Sequence, residues 1–172
     1  MLVLFDRSRP GGYEFALPDG LVSRYPPGRT QRLSTMFTHR RTLRIEWGDC
    51  DAAGIVYFPR YVEYFDACTV HLFEAAGFPK HAVLERFGMA GYPMVDLKMK
   101  FLIPSTFGED VTVESSITEF KRSSFNVHHR LLRGEELAVE GFETRVWTIF
   151  DPERPGRLKS QAVPDEVKAA FA

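Results

Sequence analysis

The 172 residues suffice for one compact domain and crowd two, and a 44% hydrophobic content is enough for a buried core, which excludes wholesale disorder. Basic and acidic residues number 22 and 23 and are interspersed, and the net charge of -1 argues against a nucleic-acid partner, which selects a basic excess. Cys50 and Cys68 form no C-x-x-C pair, so neither a zinc site nor a redox dithiol is indicated, and a reducing cytoplasm is expected.

Residues 1–5 are apolar, but Asp6 and Arg7 end the run well short of the ~7–15 apolar residues of a signal peptide or the ~20 of a membrane helix. A soluble, non-membrane protein is expected. Residues 1–35 carry Pro10, Pro18, Pro26 and Pro27 among several glycines and show no sustained periodicity, which predicts a flexible or non-native N-terminal extension. Met36 is a candidate native start, and residues 36–172 form the expected domain.

Alternation over 41–47 predicts a strand with Leu43, Ile45 and Trp47 on its buried face. Residues 48–54, Gly-Asp-Cys-Asp-Ala-Ala-Gly, are too glycine-rich and acidic to continue a strand and predict a loop. A helix follows. Pro59 suits its first turn, Gly77 its C-terminal stop, and Pro79 prevents continuation. Phe58, Tyr61, Val62, Phe65, Thr69, Leu72, Phe73 and Ala76 recur at helical spacing, with Tyr64 and Cys68 widening the stripe, so the helix should be wrapped by other elements. After a short helical stretch at 81–87, four strands are predicted at 94–102, 110–120, 124–132 and 137–150, and a small helix at 164–171. Strand, long apolar helix and four strands joined by short links make an α+β domain, with about five antiparallel strands curved around one helix.

The loop between two glycines carries Asp49 and Asp51 directly before a helix whose first backbone N–H groups have no helical acceptor. A carboxylate beside such donors can run acyl transfer: one group attacks or activates water, and the other holds the developing oxyanion. The alternative is plain helix capping by the same aspartates. Cys50 is disfavoured as a nucleophile because flanking carboxylates oppose its thiolate. There is no G-x-S-x-G elbow, phosphate-binding glycine loop or H-E-x-x-H. His128 and His129 point to opposite faces of a strand and cannot chelate one metal together, and with His71 and His81 they are expected to be structural or surface residues. No metal site is expected.

The run Glu46-Trp47-Gly48-Asp49-Cys50-Asp51-Ala52-Ala53-Gly54-Ile55-Val56-Tyr57-Phe58-Pro59-Arg60-Tyr61 resembles the signature of the 4-hydroxybenzoyl-CoA thioesterase family. The likeness continues at Phe65-Asp66-Ala67 and Ala75-Ala76-Gly77. It is looser at Pro93-Met94-Val95, over residues 119–125 and at Thr144-Arg145-Val146. It spans about residues 38–164, and residues 1–35 have no counterpart.

The resemblance implies a hot-dog fold, assembled as a homodimer or homotetramer with active sites at subunit interfaces. It implies hydrolysis of an aromatic or short-chain acyl-CoA to free acid and CoA, with no cofactor beyond the coenzyme A of the substrate. By the same resemblance Asp51 is the catalytic carboxylate, as nucleophile or as general base, and the Phe58 backbone N–H is the oxyanion donor. Asp66 and Tyr92 fall where that family lines its acyl pocket, and Lys121 and Arg122 on a corner that contacts coenzyme A phosphate, with Arg145 a further candidate for that contact. Tyr92 departs from the aryl-specific pattern, which carries a smaller residue. Lys121-Arg122 also reads as a solvated turn, and Asp66 on an apolar helix needs some partner if buried. Two rival functions remain: an acyl-thioester dehydratase or hydratase, for which residues 48–58 lack a histidine, and a non-catalytic acyl-CoA sensor.

Overall fold

A computed structural model of the chain describes residues 37–172. The expectations for residues 1–35 and for Met36 lie outside the described residues. In chain order the elements are β1 (Thr38–Arg44), α1 (Phe58–Ala75), α2 (Lys80–Phe87), β2 (Met89–Gly91), β3 (Met94–Phe101), β4 (Asp110–Phe120), β5 (Ser124–Arg133), β6 (Glu136–Val146), β7 (Thr148–Phe150), β8 (Leu158–Ser160) and α3 (Asp165–Ala169). Five strands form one antiparallel sheet in the order β1-β4-β5-β6-β3, and β2, β7 and β8 form a smaller one.

Period-two patterning decides which face of the large sheet meets α1. Val111, Val113, Ser115 and Ile117 of β4, and Phe125, Val127, His129 and Leu131 of β5, are buried on one phase. The other phase carries an ionic surface, including Glu114 with Arg40 and Arg130, and Glu140 with His128 and Lys100. The helix lies so close that a Cβ at Gly141 would sit 2.5 Å from Phe65 Cε2.

Three expectations are corrected. The first strand occupies Thr38–Arg44 in place of 41–47, and Trp47 is 77% exposed. The chain leaves the sheet after Ile45, because the Glu46 N–H turns to the Asp49 carboxylate at 2.9 Å and Trp47–Asp49 forms a 3-10 turn. The last strand breaks at Trp147, whose buried ring and bond to Ser123 O, 2.9 Å, redirect the chain so that β7 joins β2 and β8. Third, α1 buries only one side: Phe58 is 60% exposed and Val62 half-buried, so within one chain the helix is cradled and not wrapped. No helix among the described residues is long and apolar enough to cross a membrane.

Candidate active site

The loop ahead of α1 is rigidly tied at both ends. The Asp51 N–H bonds Ile55 O and the Gly54 N–H bonds Asp51 O, each at 2.9 Å, which closes the turn; Gly54 supplies its positive φ of 78°. Val56 N–H to Ser105 O, 2.9 Å, and a bridge between Ile55 and Thr106 fasten this turn to the segment between β3 and β4. The Tyr61 hydroxyl accepts the Ser105 N–H at 3.3 Å and links the same segment to α1.

The two aspartates are thereby separated in role. The exposed Asp51 carboxylate accepts the Ala53 N–H through Oδ1 at 2.8 Å, a local turn that holds it in place. Asp49 points back, capping the 3-10 turn, with Arg60 Nε 3.8 Å away. Neither caps α1, which has no side-chain cap and no acidic residue in its first turn. The capping alternative therefore does not describe this helix. Phe58 is its first residue, so its N–H has no helical acceptor, and Pro59 beside it has no N–H at all. A backbone N–H without a helical acceptor and an exposed carboxylate thus occur at adjoining elements, the kinds of group that acyl transfer uses. Burial pushes the Cys50 thiol up, and Asp49 and Asp51 add to the rise against a backbone contact from Phe107, so it stays a poor nucleophile.

Asp66, Tyr92 and Arg145 form a second group. Arg145 Nη1 lies 2.8 Å from Asp66 Oδ1, and its guanidinium stands 6.0 Å from the Tyr92 ring centroid. The Tyr92 ring is itself a core ring, stacked on Phe73 at 4.9 Å, and its buried hydroxyl has no partner among the described residues. Arg145 corrects the expectation of a phosphate contact: its side chain is 3% exposed and committed to Glu143 and Asp66. Lys121 and Arg122 are exposed at the turn between β4 and β5.

These groups occupy opposite ends of the sheet. The Asp51 loop meets the start of β4, where Ile45 N–H bonds Glu109 O, whereas Lys121 follows the end of β4. The 11 residues of that strand separate them by about 35 Å at ~3.3 Å per residue. One chain does not bring Lys121 and Arg122 beside its own Asp51 loop.

Behind Arg145 lies a buried network absent from the expectations above. The Arg145 Nε donates to Glu143 Oε2 at 2.7 Å, and Thr69 Oγ1 donates to the same oxygen at 3.4 Å. His129 Nε2 is 3.6 Å from it, and His129 Nδ1 is 2.8 Å from Ser115 Oγ. Ser115, His129 and Glu143 line up as hydrolytic nucleophile, base and acid would, yet none is more than 2% exposed, so no carbonyl can reach Ser115. A signal existed: all fall on the inward phase of their strands, among Val111, Phe125 and Val139. Among the described residues no His, Cys, Asp and Glu side chains gather into a metal site.

The sequence profile of the thioesterase-like superfamily matches residues 45–171. The 4-hydroxybenzoyl-CoA thioesterase of Pseudomonas sp. (strain CBS-3) is 37% identical over 128 residues, 70% of this chain and 88% of that one. A mutant 4-hydroxybenzoyl CoA thioesterase complexed with 4-hydroxybenzoyl CoA superimposes with a TM-score of 0.73 at 28% identity, covering 79% of this chain and 99% of that one. A gentisyl-coenzyme A thioesterase gives 0.69 at 30% identity, with 78% and 100% covered.

Proposed function

Since the chain belongs to the thioesterase-like superfamily, carries the hot-dog fold and is a thioester hydrolase, we propose that it hydrolyses an aromatic or short-chain acyl-CoA with Asp51 as its catalytic carboxylate. The observation that carries this reading is the uncapped start of α1 beside an aspartate held exposed by its own turn. Capping would have consumed either the Phe58 N–H or the carboxylate; that N–H and the second oxygen of Asp51 are left for a substrate. The substrate class rests on relatives that act on 4-hydroxybenzoyl- and gentisyl-CoA.

In this reading the thioester carbonyl oxygen is held by the Phe58 N–H. Asp51 either attacks the carbonyl carbon, expelling the CoA thiolate and leaving an acyl-aspartyl anhydride for water to open, or removes a proton from the water that attacks directly. A thiolate leaves readily, so no strong general acid is needed. Asp66 and Tyr92 would line the acyl pocket, and Lys121 and Arg122 would meet the coenzyme A phosphates with charge-assisted bonds. Because those residues lie at the far end of the sheet from Asp51, a complete site is proposed to form between copies of the chain, in a homodimer or homotetramer.

Asp51→Asn keeps the shape and removes the charge. The expected result is a kcat lower by roughly 10³-fold or more with KM little changed, measured by release of free thiol from 4-hydroxybenzoyl-CoA, benzoyl-CoA and short aliphatic acyl-CoAs. Near-normal turnover of the variant would remove Asp51 from the mechanism.

A further inference from the structure

The polar run behind Asp66 is not accounted for by hydrolysis at Asp51. It passes from Ser115 through His129 and Glu143 to Arg145 and ends at Asp66. The side chains of His129 and Glu143 are fully buried and that of Arg145 is 3% exposed, but the Asp66 carboxylate is 56% exposed. Only the last member can meet a ligand.

Stability alone is a weak reason for such an arrangement. An apolar set of the same volume would avoid the desolvation of two ions, and this one leaves Arg145 Nη2 and Glu143 Oε1 buried without partners. What the network does provide is orientation. An aspartate on the open side of a helix samples several rotamers, whereas one paired with an immobile guanidinium is confined to one. Arg145 is immobile because its Nε is engaged by Glu143, which Thr69 and His129 hold in turn, while Phe65 stacks on the His129 ring at 4.6 Å. Burial opposes the charge on Arg145, but the bond and charge of Glu143, and then of Asp66, outweigh it and keep the guanidinium protonated. A site that depends on sub-ångström placement is supported by such a fixed second layer.

We propose that Arg145 is a positioning residue, clamped by Glu143, that fixes the Asp66 carboxylate to accept a hydrogen bond from a donor on the acyl group. The proposal rests on the reading that Asp66 lines the acyl pocket. It replaces the expected contact of Arg145 with coenzyme A phosphate.

The test compares 4-hydroxybenzoyl-CoA with benzoyl-CoA, which differ by one hydroxyl, in the full-length protein and its variants Asp66→Asn, Arg145→Gln and both together. Wild type should prefer the hydroxylated ester, and each single variant should lower that kcat/KM ratio at least about tenfold, chiefly through KM of the hydroxylated ester. The double variant should fall no further than Asp66→Asn alone, and Arg145→Lys should restore part of the preference. Should Arg145→Gln fail to fold, Glu143→Gln with Arg145→Gln, which strands no buried charge, takes its place. A ratio lost in Asp66→Asn but intact in the Arg145 variants overturns the positioning role and leaves the Asp66 reading standing. Equal losses on both esters, with a lowered Tm, reduce Arg145 to a structural residue and overturn it too. A ratio untouched by Asp66→Asn, or a wild type that turns over neither ester, overturns the pocket reading and the proposal with it.

Discussion

At the scale of single residues, His129 shows how a strand histidine can be neither ligand nor base. Burial pushes its pKa below the ordinary 6.5, and the nearby Glu143 opposes that drop without cancelling it. The unfolded chain therefore takes up a proton that the folded chain resists, so stability is unaffected above about pH 7 and declines as the pH falls through 6.5. Glu143 acts further down. Burial would raise it, but the bonds from His129 and Arg145 win and hold it below 4.5, a stabilisation present above that pH and lost beneath it. Between about pH 7 and 5 the slope thus belongs to the histidines that burial holds below 6.5, the fully buried His129 and the half-buried His39. Melting curves across that window should show Tm falling for the wild type and a shallower slope for His129→Gln, whatever its starting Tm. Parallel slopes would mean that His129 contributes nothing to the titration and leave it to His39.

At the scale of elements, the decisive contact is the one between α1 and β6. A methyl group at Gly141 would stand 2.5 and 2.8 Å from Phe65 Cε2 and Cδ2. Phe65 cannot retreat, since it is fully buried and stacked on His129. Gly141→Ala is therefore an overpacking change at a site with normal backbone geometry, expected to cost about 1–3 kcal/mol in urea denaturation. An unchanged midpoint would show that the helix can lift off the sheet without penalty. The same close approach sets where Asp66, one residue along α1, stands relative to Arg145, four residues along β6. Much of this element-scale picture was legible beforehand. Pro59 and Gly77 bracket the helix observed at Phe58–Ala75, and the sequence pattern predicts three of the four later strands almost in full. What failed failed for a local reason: alternation runs on through Trp47 and Trp147, and only the partners of neighbouring backbone groups end the strands before them.

At the scale of the whole molecule, the two edges of the large sheet differ. The β1 edge exposes Arg40 and Arg44 and no large apolar side chain. The β3 edge leaves Val95 60%, Phe101 52% and the following Leu102 54% exposed, although Phe101 faces the helix side opposite Val139. Pairing of two copies along β3 would cover these side chains and is the proposed route by which the far-end residues of one copy reach the Asp51 loop of another. Val95→Lys combined with Phe101→Lys should then yield a monomer by light scattering on size exclusion, with thioesterase activity lost in parallel. A wild type that is monomeric and fully active would refute the shared site.

The division between sequence and structure follows from the range of the forces. Asp51, the glycine-flanked loop, the helix after it and the period of each strand are set by backbone preferences acting over a few residues, and these were readable in the chain itself. That Arg145 meets Asp66, and that Ser115, His129 and Glu143 touch at all, were decided by contacts between residues 14 to 79 positions apart: Ser115 with His129, and Arg145 with Asp66. Burial is a property of the assembled fold. It placed Arg145, expected as a candidate phosphate contact, buried in ion pairs with Glu143 and Asp66, while Asp51 stays exposed and held by its own turn.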